Sequence, residues 1–264
     1  MKTGPAGLVI ALALAVLASP CAAFQEEVRT IATRPDVTQS FLLIKPDAPP
    51  AASIVLCTGG EGVAGVQRFR NPKWGQGNFL VRNRRLFAEH GFLVAVVDVP
   101  SDHATGYGSF RASQEHAQDI AGVIAELRRE APGPAWVVGT SMGTVSAANV
   151  AARLKEGGPD GLVLTASVTR TSRMVRVSLK DVDLDDIRVP TLVVHHENDG
   201  CVVTPFPDAR VLPRGLKKAP KTEFLAFQGG SPVGNPCEGH AYHGFMGIDA
   251  EVVKAIADWI KTAR

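Results

Sequence analysis

The sequence predicts an α/β fold in which helices cover both faces of a mostly parallel sheet, and three observations predict it. Short apolar runs recur at residues 53–57, 92–99, 135–138 and 191–194, with the unbroken hydrophobicity of strands buried on both faces. Segments of helical length and pattern alternate with them. At residues 135–149 a strand-like run passes through Gly139-Thr140-Ser141-Met142-Gly143 into an alanine-rich helix start, with no polar linker between.

Residues 1–23 precede that fold. Lys2 gives a positive start, residues 8–17 are an apolar run too short to span a bilayer, and Cys21-Ala22-Ala23 offers small residues for cleavage before Phe24. This reads as a secretory signal peptide, leaving residues 24–264 as one domain, secreted or periplasmic and without stable membrane insertion. A lipid anchor on Cys21 is the competing reading, disfavoured by Pro20. A formal charge of +2, from 28 basic against 26 acidic residues, provides no basic field, so the expected partner is a small molecule and not nucleic acid. Nothing in the sequence marks the oligomeric state.

In chain order, residues 27–34 and 37–45 read as two short strands separated by the turn Arg34-Pro35-Asp36, forming an antiparallel edge. After a proline-rich break, residues 53–57 begin the central sheet. The loop that follows contains Thr58-Gly59-Gly60-Glu61-Gly62, where glycines let the backbone come close to a reacting carbon and aim N–H groups at a developing oxyanion. Gly60 is assigned as one such donor and Met142, directly after Ser141, as the other; Gly59 and Glu61 are alternatives to Gly60. Arg68, Arg70, Lys73 and Trp74 lie in the next loop, where the basic groups could face a substrate carboxylate. Residues 79–90 predict one helix closed by Gly91, residues 92–99 a strand, and residues 112–130 a helix on which His116 and Asp119 could pair at a surface or packing face. Residues 144–155 predict the helix after Ser141, residues 161–167 a strand, and residues 168–189 at most a small lid over an open site.

Gly-x-Ser-x-Gly between a strand and a helix is a nucleophile elbow, a turn tight enough to need glycine two positions away on each side of a strained Ser141. The strand at residues 191–196 ends in the polar corner Glu197-Asn198-Asp199-Gly200, and Asp199 is best placed to orient a histidine. Glu197 is the near rival, and Asp183, Asp185 and Asp186 are weaker ones. His195, His196, Glu197 and Asp199 do not form a metal set on this reading, because alternate residues of a strand face opposite ways. After a last strand at residues 221–227, the loop at 229–245 carries His240 and His243. His243 is favoured as general base and His240 as a structural or substrate-facing residue, before a closing helix at residues 248–261. The chemistry so assembled is serine-dependent acyl transfer, which requires no cofactor and no metal.

The order Ser141, Asp199, His243 with about six parallel strands resembles the α/β-hydrolase superfamily over nearly the whole mature length. His243-Gly244-Phe245 resembles the histidine motif of its dienelactone-hydrolase branch, although that branch uses a cysteine nucleophile where this chain has Ser141. The resemblance implies an eight-stranded, mostly parallel sheet with a minimal lid and the transfer of an acyl group to water. A short-chain or small-molecule ester is the expected substrate, with a peptide, amide or thioester as rivals on the same residues and a non-catalytic binding protein as the rival from another class. If acid and base meet over the elbow, their loops run close together. Cys201, two residues after Asp199, is therefore expected to bond Cys237, six before His243, leaving Cys57 as a buried thiol.

Overall fold

The computed structural model describes residue 1, residues 24–71 and residues 73–263. The expected signal peptide and the Cys21 alternative lie outside the described residues. Eight strands form one sheet: β1 (Gln25–Arg34), β2 (Val37–Lys45), β3 (Ala52–Cys57), β4 (Phe92–Pro100), β5 (Ala135–Thr140), β6 (Gly161–Thr165), β7 (Thr191–His196) and β8 (Thr222–Phe227). Their order is β1-β2-β4-β3-β5-β6-β7-β8. β1 pairs antiparallel with β2 and β2 with β4, and every pairing from β4 through β8 is parallel.

Side-chain alternation along buried strands supplies two cores at once. Phe41, Leu43, Val55, Cys57, Leu93, Ala95 and Val97 face one side, where they meet α3 (Gln114–Glu130) and α4 (Gly143–Arg153). Leu42, Ile44, Ile54, Leu56, Phe92, Val94 and Val96 face the other, beneath α1 (Phe79–Arg82), α2 (Arg84–Glu89) and α6 (Asp249–Thr262). A further short helix, α5 (Phe206–Val211), follows β7. Because both faces are covered, the carboxyl ends of β3, β5 and β7 are where loops can converge on a substrate.

One expectation about helices needs correction. The single helix expected at residues 79–90 is two, broken at Asn83 (φ −97°, ψ 7°), whose side-chain amide donates to the Phe79 carbonyl and to Asp249 and so competes with helical geometry. Residues 168–189, expected to supply at most a small lid over an open site, leave the site open. Val168, Val177, Leu179, Val182 and Ile187 are buried against the α4 face of the sheet, which draws the segment down its flank. No helix of the described residues is long and apolar enough to cross a membrane.

Candidate active site

Ser141 stands at the turn from β5 to α4 with φ 52°, a left-handed conformation costing a non-glycine residue about 1–2 kcal/mol. Neighbouring backbone holds it there. Its N–H donates to the Thr165 carbonyl of β6 at 3.0 Å, and its carbonyl accepts from the Thr144 N–H at 2.9 Å and the Thr144 hydroxyl at 2.6 Å. The flanking glycines are required by contact, since a Cβ on Gly139 would fall 2.4 Å from the Gly143 carbonyl oxygen and one on Gly143 would fall 2.0 Å from that of Cys57. The elbow is thus wedged between the ends of β3 and β6.

The oxyanion candidates lie beside it. A Cβ on Gly59 would come 3.0 Å from Ser141 Cβ, so the glycine loop after β3 runs directly over the serine. The Gly59 carbonyl accepts from the Gly62 N–H at 3.2 Å in a tight turn, and Gly60 occupies φ 58°. Met142 precedes α4, whose exposed N–H groups give that end a partial positive charge.

Asp199 and His243 meet although 44 residues separate them: His243 Nδ1–H donates to Asp199 Oδ2 at 2.9 Å. The carboxylate is saturated by further donors, the Cys201 N–H at 2.9 Å on Oδ1 and the Thr204 hydroxyl at 2.9 Å on Oδ2, with His195 Nε2 3.3 Å from Oδ2. Burial pushes this carboxyl's pKa up, but hydrogen bonds from His195 and His243 and the His243 charge outweigh it and hold it well below the usual range. With Nδ1 protonated toward Asp199, His243 Nε2 is the basic nitrogen; it is buried and without a hydrogen-bond partner among the described residues. Ser141 and His243 line one cavity of about 630 Å³, bounded by the loops at residues 58–81 and 237–244.

The rival acids are placed elsewhere. Glu197 is exposed and accepts from the Gln228 amide at 2.6 Å, while Asp185 and Asp186 pair with Lys217 and Lys218 on the surface. His195 Nε2 donates to the Thr204 carbonyl at 2.8 Å and His196 Nε2 to the Gly229 carbonyl at 2.9 Å, so the two rings diverge. His240 lines the cavity, as do Arg68, Lys73 and Trp74; Arg70 does not, and lies over the Phe69 ring. Arg68 and Lys73 form no ion pair among the described residues, whereas the Trp74 indole donates to the Ala64 carbonyl at 2.6 Å and so braces the loop.

The supposed pair His116 and Asp119 does not form. Asp119 is buried and accepts from Thr33 and Arg34 of β1. His116 is buried edge-on to Tyr107 and Phe110, and burial, with the Arg111 charge nearby, lowers its pKa to about 3.

The Cys201–Cys237 disulfide is present with its Cα atoms 4.6 Å apart, tying the acid loop to the cavity wall. Cys57 is the free cysteine among the described residues, and burial pushes its thiol up to about 12. A bridge over 36 residues stabilises the chain by roughly 3 to 4 kcal/mol on the chain-entropy model. Replacing both cysteines with serine is therefore expected to lower Tm by roughly 10 °C and to reduce activity as the base loop loosens. Peptide mapping of alkylated, non-reduced protein checks the bond itself: both cysteines found alkylated would refute it.

Sequence reasoning misses two supporting residues. Thr204, five positions after Asp199, adds a hydroxyl to the acid, and its oxygen lies 3.2 Å from His243 Nδ1. Arg82 of α1 donates to Asp249 at 2.7 Å, to the Gly239 carbonyl at 2.7 Å and to the Gly244 carbonyl, gripping the histidine loop at both ends. Arg82 has no local signature, since its partners are distant in sequence, and the contact of Thr204 with His243 spans 39 residues.

The strand order, the left-handed serine at the β5 elbow and an acid after β7 bonded to a histidine after β8 decide the architecture. The chain has the α/β-hydrolase fold. It matches no protein-family model and no curated protein. Solved α/β-hydrolase structures do resemble it. A cold-adapted esterase from an Arctic intertidal metagenomic library superposes with TM-score 0.61 at 14% identity, over 96% of this chain and 99% of that one. Dienelactone hydrolase from Anabaena variabilis does so with TM-score 0.60 at 15% identity, over 91% and 98%. Acylaminoacyl peptidase from Pyrococcus horikoshii gives TM-score 0.62 at 14% identity over 91% of this chain, which spans 42% of the peptidase. At these identities the α/β-hydrolase likeness is one of fold.

Proposed function

We propose that this protein is a serine hydrolase that cleaves a carboxylic ester of a small molecule through an acyl-enzyme. The observation that carries the reading is the 2.9 Å bond from His243 to Asp199, with Nε2 left unpartnered on the wall of a cavity that Ser141 also lines. In this reading His243 Nε2 takes the proton from Ser141 as its oxygen attacks the carbonyl carbon. Asp199 keeps the imidazole in the Nδ1–H tautomer and stabilises the imidazolium. Backbone N–H groups of Gly60 and Met142 receive the oxyanion. The proton then passes to the leaving alcohol, and a water activated by the same nitrogen hydrolyses the acyl-enzyme.

A cavity of about 630 Å³ falls within the usual range of small-molecule sites. The disulfide supports an oxidising compartment, secreted or periplasmic, with a mature chain starting at Phe24 after signal-peptide removal. A second reading, amide or peptide cleavage, uses the same residues and is favoured by the likeness to an acylaminoacyl peptidase. Two measurements together test these readings. A fluorophosphonate probe is expected to label Ser141 rapidly, and absence of labelling would leave a binding protein on a hydrolase fold. On a panel of neutral and anionic esters, thioesters and acyl-peptides, short esters are expected to give the highest kcat/KM; a peptide at the top would select the second reading.

A further inference from the structure

Arg111 is a fully buried guanidinium that this mechanism does not use. It lies at the end of a short 3-10 turn (Gly108–Ala112) between β4 and α3, with 0% exposure. Its Nη1 donates to the Ser146 hydroxyl of α4 at 2.8 Å, and its Nη2 donates to the Gly60 carbonyl at 2.8 Å. The plane rests on the Tyr107 ring at 4.7 Å, and Nε has no partner among the described residues. Arg111 forms no ion pair among the described residues. A buried cation that forms no ion pair, and that the Glu61 carboxylate offsets only at longer range, is costly to keep, so its presence calls for a compensating charge at some stage of the protein's work.

We infer that Arg111 positions the oxyanion loop, bridging the Gly60 carbonyl to α4 and standing as a buried positive charge behind the glycine turn that carries the Gly60 N–H. The inference rests on the proposed serine hydrolase reading. In a trans peptide unit the C=O and N–H point in opposite directions. Drawing the Gly60 carbonyl onto Arg111 therefore points the Glu61 N–H away from Arg111, and the Gly59 carbonyl, held by the Gly62 N–H, fixes the plane of the peptide that carries the Gly60 N–H. Gly62 must lack a side chain for this closure, because a Cβ there would lie 2.7 Å from Arg111 Nη2. In a site of low dielectric, a fixed cation behind those N–H groups strengthens with the charge that forms during attack, so its effect falls on kcat more than on KM.

The test compares Arg111→Met, Arg111→Lys and Ser146→Ala in the full mature chain, each checked by circular dichroism and thermal melting. Fluorophosphonate labelling of the wild type comes first: if the wild type fails to label, the serine hydrolase reading itself fails. Given labelling, Arg111→Met is expected to lose roughly two orders of magnitude in kcat with KM within about threefold, the size of losing one oxyanion donor. Affinity for a trifluoromethyl ketone, which becomes an oxyanion when Ser141 adds to it, is expected to fall by the same factor, while the product acid and alcohol bind unchanged. Arg111→Lys is expected to recover part of both losses, and Ser146→Ala to show a smaller loss of the same kind. Wild-type kcat and ketone affinity in folded Arg111→Met would overturn the inference, as would a rise in KM with ketone affinity intact. If Arg111→Met does not fold, wild-type values for both folded Arg111→Lys and Ser146→Ala would overturn it equally.

Discussion

Replacing Ser141 with alanine is expected to reduce hydrolysis of a short-chain p-nitrophenyl ester by roughly four to six orders of magnitude, about 5 to 8 kcal/mol of transition-state stabilisation. Among the described residues of this cavity wall, Ser141 is the non-glycine residue that the fold holds in a left-handed geometry, and the surrounding contacts leave little alternative use for it. Alanine accepts φ 52° about as well as serine does, so the variant is expected to melt within about 2 °C of the wild type, and the loss would be chemical. Rates measured with the variant at high enzyme concentration decide the matter. Retention of more than a trace of the wild-type rate, after contamination is excluded by the fluorophosphonate probe, would show that the nucleophile lies elsewhere.

The second large effect belongs to the proposed base and its acid. His243→Ala is expected to abolish turnover to a similar degree, whereas His240→Ala, whose ring lines the cavity without joining the Asp199 hydrogen bonds, is expected to keep a measurable rate. The reverse pattern would move the base to His240. Asp199→Asn is expected to lose roughly four orders of magnitude in kcat, because an amide that donates to Nδ1 holds the imidazole in the wrong tautomer. A rescue by Glu197 is conceivable from sequence position alone. Its exposed carboxylate, bonded to Gln228, leaves no such route.

Much of this candidate site is legible in the sequence because its cause is local. The glycine before Ser141 answers to the Gly143 carbonyl across the strand-to-helix turn, where a Cβ would fall 2.4 Å away, while the glycine after it must also clear the Cys57 carbonyl of the neighbouring strand. The polar corner after β7 admits Asp199 because the backbone there turns and offers it the Cys201 N–H. The disulfide is foreseeable for a related reason, since two cysteines flank residues that must meet.

What depends on packing between distant segments is not legible in this way. Residues 79–90 carry a helical pattern throughout, but the Asp249 carboxylate, presented by a helix at the far end of the chain, stabilises a break at Asn83. His116 and Asp119 have the spacing of a pair, and only the arrival of β1 and of Tyr107 separates them into an ion-paired carboxylate and a neutral buried imidazole. Arg111 reads as one more cation in a polar loop until Gly60 and Ser146 close around it.

The sequence by itself therefore determines the alternation of strands and helices, the strained serine and the polar corner that carries Asp199, since backbone sterics and residue spacing act over a few positions. Only the tertiary structure decides which loops wall the cavity, that residues 168–189 lie down the flank of the sheet, and which cation stands behind the glycine loop. The reason is physical: burial and electrostatic pairing are set by what approaches through space, and their energies do not exist until both partners have left water.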